Sequence, residues 1–181
     1  MMRVITGSAR GRRLETLPGE EITRPTTESV KEALFSMIQF EIEGTKVLDL
    51  FAGSAQLGIE ALSRGARHCT FVENNRQAYK IAQSNIEHCQ LSDKARLVMS
   101  DAVSFLMRKD NFDIALLDPP YKQGLIEKCL PILLPMMSDD GIVICETSVD
   151  EALPEKIGGW YIDRSRRYGK TSLTLYRKEK Q

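Results

Sequence analysis

From residue 46 onward, short apolar runs alternate with stretches in which apolar residues recur every three or four positions. The runs at 47–50, 69–73, 95–99, 114–117, 142–146, 161–166 and 172–176 have the length of strands, and those at 56–63, 76–88, 102–108 and 124–136 have helical spacing. Strand and helix taking turns in this way predict a parallel sheet covered by helices on both faces. The last two runs break the alternation. Only Tyr168-Gly169-Lys170-Thr171 separates them, too short for a parallel crossover, so they should pair antiparallel.

Before residue 46 the pattern is different. Two short extended candidates, 3–6 and 12–16, flank Gly7-Ser8-Ala9-Arg10-Gly11, and the glycines favour a hairpin turn. Arg24-Pro25-Thr26-Thr27-Glu28 then predicts a helix start. Pro25 disfavours helix before it, Thr26 or Thr27 can cap, and Glu28 suits the positive end of the helix. Val30, Ala33, Leu34, Met37 and Ile38 fall on one face. The expected organisation is one α/β domain. An Arg-rich hairpin covers 1–25 and a helix 26–45, followed by a Rossmann-like core over 46–181. Its seven-stranded, mostly parallel sheet ends in an antiparallel hairpin.

Composition adds limits. With 181 residues, 42% hydrophobic and 28% charged, the chain has room for one sizeable core. No apolar run approaches the roughly 20 residues that span a bilayer, and the first residues lack a signal-peptide core, so a cytoplasmic location is expected. The four cysteines are widely spaced, with no CxxC pair and no histidine at a zinc-ligand interval, so reduced thiols and no metal are expected. Net charge is zero but unevenly spread: residues 1–25 carry +2, residues 160–181 carry +5, and the middle −7. Basic ends suit a polyanion and an acidic centre suits a cationic cofactor, although solvated termini explain the charge alone equally well.

In an open parallel sheet, ligands bind beyond the carboxyl ends of the strands. After the first strand comes Asp49-Leu50-Phe51-Ala52-Gly53-Ser54-Ala55-Gln56-Leu57-Gly58, where Gly53 permits close backbone approach and the following helix aims free N–H groups at a ligand. Taken alone, this is a weak signal that an ordinary strand–helix turn also explains. The second strand ends at Glu73, whose carboxylate can accept both hydroxyls of an adenosine ribose or can be a surface residue. After the third strand, Asp101 can accept from an adenine amino group, N-cap the helix that starts at Ala102, or do both.

The fourth strand ends in Asp118-Pro119-Pro120-Tyr121, the strongest signal in the chain. Two prolines offer carbonyls and no N–H donors in a stiff backbone. Beside Asp118 they make an acceptor-only rim that can hold an –NH₂ group by both hydrogens. Such a grip turns the lone pair of a base amine out of the ring and toward an electrophilic methyl. Tyr121 can stack on a flipped-out base. A Pro-Pro turn closing a strand is the bland explanation, and the three sites before it in order weigh against that.

The series Asp49-Leu50-Phe51-Ala52-Gly53-Ser54, Glu73, Asp101 and Asp118-Pro119-Pro120-Tyr121 resembles the amino-group class of Rossmann-fold methyltransferases. More narrowly, Gly7-Ser8-Ala9-Arg10-Gly11-Arg12-Arg13-Leu14, Arg24-Pro25-Thr26-Thr27 and Arg167-Tyr168-Gly169-Lys170-Thr171 resemble the RsmD family over nearly the whole chain. The sequence departs from that family at Ala55-Gln56, where Gly-Ala is usual. The resemblance implies transfer of a methyl group from S-adenosylmethionine to N2 of a guanine in small-subunit (16S) ribosomal RNA, with no metal. It implies a cofactor pocket at Asp49, Phe51, Ala52, Gly53, Glu73, Asn74, Asp101 and Ala102. Asp118 and the Pro119 carbonyl, with Pro120 beside them, would grip the amino group while Tyr121 stacks. Arg10, Arg12, Arg13, Arg24, Thr26, Thr27, Arg167 and Lys170 would hold RNA. The expected partner is ribosomal RNA, within the small subunit or its assembly intermediate, and the expected state is a monomer.

Three other functions remain open at this point. An adenine-N6 DNA methyltransferase would use the same rim, but no basic recognition helix is visible. A nicotinamide-dependent dehydrogenase would need a substrate domain and leaves Asp118–Tyr121 without a role. A catalytically silent RNA-binding module would have no use for the tetrapeptide.

Overall fold

The computed structural model describes residues 2–18 and 28–180. The hairpin is present but short: β1 (Met2–Arg3) pairs antiparallel with β2 (Arg13–Leu14) as a separate two-stranded sheet. Helix α1 (Glu28–Met37) follows, with Val30, Leu34 and Phe35 turned inward. The core then runs β3 (Lys46–Asp49), α2 (Gln56–Ser63), β4 (His68–Glu73), α3 (Arg76–His88), β5 (Ala95–Met99), α4 (Ala102–Leu106), β6 (Phe112–Leu117), α5 (Leu125–Leu133), β7 (Met137–Ser148), β8 (Lys156–Ile157), β9 (Trp160–Tyr168) and β10 (Thr171–Lys178). The expected cap around Pro25–Thr27 lies outside the described residues.

These strands form one sheet of order β5-β4-β3-β6-β7-β10-β9-β8. The pairs from β5 to β7 are parallel and those from β7 to β8 antiparallel. Among the described residues the sheet has eight strands rather than seven, because the two-residue β8 adds itself to β9. Gly158 (φ 53) and Gly159 (φ 79) make that last turn, and two consecutive left-handed residues match the twist of a tight hairpin. Side-chain alternation divides the core between the faces. Val47, Ile114, Leu116, Ile142, Ile144, Leu173 and Leu175 meet the hairpin, α1, α2 and α3 on one side. Leu48, Ala115, Leu117, Val143, Cys145 and Tyr176 meet α4 and α5 on the other. The same rule decides which strand of the final hairpin lies inside. β10 alternates buried residues on both faces, whereas β9 exposes Asp163 through Arg167 and takes the outer place.

The segment before α1 is tied down by a buried carboxylate. Glu60 of α2 is fully enclosed and accepts the backbone N–H groups of Ile5 (2.8 Å) and Thr6 (3.0 Å) and the Arg64 guanidinium (2.8 Å). Lys31 of α1 lies 3.7 Å from the same carboxylate, and Ser63 adds a bond from the Ala9 N–H. A buried carboxylate is tolerated when it is paired and hydrogen-bonded in this way.

Candidate active site

The carboxyl ends of β3, β4, β5 and β6 open onto one cleft of about 440 Å³, at the point where the chain reverses its direction across the sheet. Every residue that the sequence assigned to the cofactor lines it: Asp49, Phe51, Ala52, Gly53, Glu73, Asn74, Asp101 and Ala102. So do Asp118 and Pro120.

Glu73 anchors the loop between β3 and α2. Its Oε2 accepts the Gly53 N–H at 2.7 Å and its Oε1 the Asn75 N–H at 2.7 Å, which fixes the carboxylate and leaves lone pairs on both oxygens for hydroxyl groups. Asp49 is 1% exposed; its Oδ2 accepts the Gly58 N–H at 2.9 Å, and its Oδ1 has no hydrogen-bond partner among the described residues. Burial pushes its carboxyl up to about 7, opposed by the Gly58 bond and reinforced by the negative charges of Asp118 and Glu73. Of the roles open to it, Asp101 takes that of the N-cap. Its Oδ1 accepts the Ser104 N–H at 2.9 Å at the start of α4, and it lines the cleft as well; the Ser104 hydroxyl first and its N–H second hold the carboxyl below the usual range.

Asn75, Gln56 and Leu17 are among the lining residues that sequence reasoning did not assign to the site. Asn75 N-caps α3 by accepting from the Gln77 and Ala78 N–H groups, a role its position just before a helical stretch could have signalled. Gln56 lines the cleft with a buried Oε1 that has no hydrogen-bond partner among the described residues. Leu17 reaches the cleft from the N-terminal arm, through a tertiary contact that periodicity cannot show.

The tetrapeptide is divided by its surroundings. Asp118 and Pro120 face the cleft, whereas Pro119 is buried beneath the turn. The Tyr121 ring is not among the cleft-lining groups. Its hydroxyl lies 3.0 Å from Glu146 Oε1 on β7 and 3.1 Å from Thr171 Oγ1 on β10. Burial, with the Glu146 charge, pushes that phenol up to about 12, so it stays protonated and donates to the carboxylate. Farther along, Glu151 accepts the N–H groups of Lys122 (2.8 Å) and Ser148 (3.0 Å), which joins the loop to the end of β7.

The basic residues also separate. Arg10 and Arg13 are exposed on the hairpin, and Arg167 and Lys170 on the β9–β10 turn. Arg12 is engaged with the protein itself, donating to the His88 carbonyl and to Gln90 Oε1 at the negative end of α3. Arg24, Thr26 and Thr27 lie outside the described residues.

The lining of the cleft suits a cationic ligand rich in hydrogen-bond donors. Two buried acceptor atoms, Asp49 Oδ1 and Gln56 Oε1, have no hydrogen-bond partner among the described residues, and four carboxylates, Asp49, Glu73, Asp101 and Asp118, line the space. The floor is open at Gly53, where a Cβ would meet nothing within 4 Å. Such a set holds an ammonium or sulfonium better than an anion.

Comparison with known proteins agrees with this chemistry. A family model described as Conserved hypothetical protein 95 matches residues 2–177. The chain is 40% identical to YlbH of Bacillus subtilis (strain 168), over 98% of this chain and 99% of that protein. It is 35% identical to Ribosomal RNA small subunit methyltransferase D of Escherichia coli (strain K12), over 99% of this chain and 91% of the relative. The solved structure of Escherichia coli yhhF superposes with a TM-score of 0.86 at 34% identity, covering 99% of each chain. With a family match across nearly its full length and close relatives of like size, the chain belongs to the Conserved hypothetical protein 95 family, the RsmD family of ribosomal RNA methyltransferases.

Proposed function

We propose that this chain methylates the exocyclic N2 amino group of a guanine in small-subunit ribosomal RNA, with S-adenosylmethionine as methyl donor. The observation that carries this is the shared cleft. The Asp118–Pro120 rim opens into the same space as Asp49, Gly53, Glu73 and Asp101, so a gripped amino group and a bound cofactor would be neighbours. When bound, S-adenosylmethionine supplies a methyl group on a positively charged sulfur. Asp49 and Gln56 would take its ammonium, Glu73 its ribose hydroxyls, and Asp101 its adenine edge. Asp118 accepts a hydrogen from the target amine and the prolyl carbonyls take the other, which frees the nitrogen lone pair. Tyr121, held by Glu146 and Thr171, stiffens the loop that carries this rim. Positioning is the main catalytic contribution, and no nucleophilic residue is required. The exposed Arg10, Arg13, Arg167 and Lys170 would bind RNA phosphates.

Asp118 supplies the deciding experiment. Its grip strengthens as the amine pyramidalises, so it lowers the barrier more than it aids ground-state binding. Asp118→Ala should abolish most single-turnover methylation of small-subunit RNA, on the order of 10²–10³-fold, with cofactor affinity nearly intact. Asp118→Asn keeps one acceptor oxygen and should retain measurable turnover. A folded Asp118→Ala protein with near-normal turnover would end this mechanism, and methylation of adenine in DNA in place of RNA would end the substrate assignment.

A further inference from the structure

Asn85 lies on the buried side of α3, 2% exposed, and its whole amide is committed to two segments far away in sequence. Its Oδ1 accepts the Glu15 N–H at 2.8 Å. Its Nδ2 donates to the Glu15 carbonyl at 2.9 Å and to the Ser54 carbonyl at 2.9 Å. Glu15 belongs to the arm that leaves the N-terminal hairpin, and Ser54 to the cofactor loop, directly after Gly53. Two residues beyond Glu15, Leu17 lines the cofactor cleft. One amide therefore hooks the arm to the loop and sets an arm side chain against the ligand space.

The other anchors of the N-terminal segment do different work. Glu60 and Ser63 hold residues 5, 6 and 9 against α2, behind the cleft, and Arg12 holds the hairpin to the end of α3. None of these bonds reaches the cofactor loop. Asparagine also suits its place chemically: two carbonyls need donors and one N–H needs an acceptor, a set that a carboxylate would meet with the wrong sign and an alanine not at all.

We infer that Asn85 is a positioning residue that makes the N-terminal arm a wall of the cofactor site, so that arm docking and cofactor binding strengthen each other. Such coupling is reciprocal: whatever steadies the arm raises cofactor affinity, and bound cofactor steadies the arm by the same factor. The inference rests on the proposed cofactor and is independent of which base is methylated.

Calorimetry with S-adenosylhomocysteine and amide hydrogen exchange on the full chain test it together. Asn85→Ala should weaken binding on the order of tenfold, as two broken backbone tethers release both arm and loop. Leu17→Ala breaks no hydrogen bond and should weaken binding about threefold through lost apolar cover. In the wild-type chain, S-adenosylhomocysteine should slow exchange of the Glu15 amide, and in Asn85→Ala it should not. If Asn85→Ala fails to fold, Leu17→Ala and the wild-type exchange decide the matter. Unchanged affinity in the folded variants, or a Glu15 amide indifferent to ligand, overturns the inference alone. A wild-type chain that does not bind S-adenosylhomocysteine overturns it together with the proposed function.

Discussion

Ala55 sits at φ 69 and ψ 17 with its side chain wholly buried, at the residue where the loop after β3 becomes α2. A Cβ in the left-handed region costs roughly 1–2 kcal/mol, and glycine removes that strain while giving back part of the gain as unfolded-state freedom. Ala55→Gly should therefore stabilise the chain by about 0.5–1 kcal/mol in urea unfolding. A destabilised variant would show that the buried methyl group contributes more than the backbone strain removes. Asp49 ties both folding and ligand binding to pH. Its folded carboxyl titrates at about 7, above the ordinary 3.8, so the folded state holds a proton that the unfolded chain releases. The associated stability is full below pH 3.8 and is lost as pH rises through 7, on the order of 4 kcal/mol at 1.36 kcal/mol per unit. A bound cation needs the ionised form. Affinity for S-adenosylmethionine should then fall as pH is lowered from 8 to 6, approaching tenfold per unit below the transition. Asp49→Asn should flatten that profile, and calorimetry across this range that found an equal slope in the variant would refute the role.

At the scale of elements, the hairpin contains arginines with two different duties. Arg10 and Arg13 are free to reach phosphates, whereas Arg12 completes the end of α3. Replacing Arg10 and Arg13 by Ala should weaken RNA binding and lower the slope of log affinity against log salt by about 1–2. Arg12→Ala should instead lower thermal stability by about 1 kcal/mol with a smaller change in that slope. Equal effects of all three on RNA affinity would erase the distinction. Sequence alone showed the alternation of strands and helices, the antiparallel finish and the hairpin, because period and turn chemistry are local properties. It missed β8, although Gly158-Gly159 is a hairpin signal, because two residues are too few to show a period. It ran one helix through 124–136, whereas α5 holds Pro131 within it, ends at Leu133 and gives way to a tighter turn that carries Pro135. The residues it assigned to a cofactor all line one cleft because strand ends share one edge of a parallel sheet. It could not see that Tyr121 turns its hydroxyl to Glu146 and Thr171, or that Asn85 and Leu17 join the site, since those contacts span 25 to 70 residues.

For the molecule as a whole, the cleft and the basic surfaces carry opposite charge. Carboxylates gather in the cleft, and arginines and lysines stand exposed on the hairpin and on the β9–β10 turn. Screening acts strongly on exposed charges and weakly on buried ones. Raising salt from 50 to 200 mM should therefore weaken RNA binding severalfold or more, while affinity for S-adenosylhomocysteine changes less than about twofold. Parallel losses in both titrations would mean that the two ligands share one electrostatic site.

The place of β10 between β7 and β9 has a consequence for the making of the protein. Strand pairing in the parallel half follows the order of synthesis outward from β3, but β7 and β9 cannot meet without the strand that emerges after both. Until then β7 presents an unpaired ladder along Ile142–Ser148 and β9 has no neighbour on its inner side. A growing chain is thus a half-finished sheet with an adhesive margin, exposed for the time that translation takes to deliver residues 171–178. Nascent chains stalled before residue 171 should be cut readily by protease across 137–168, and chains released with residue 178 clear of the ribosome should resist.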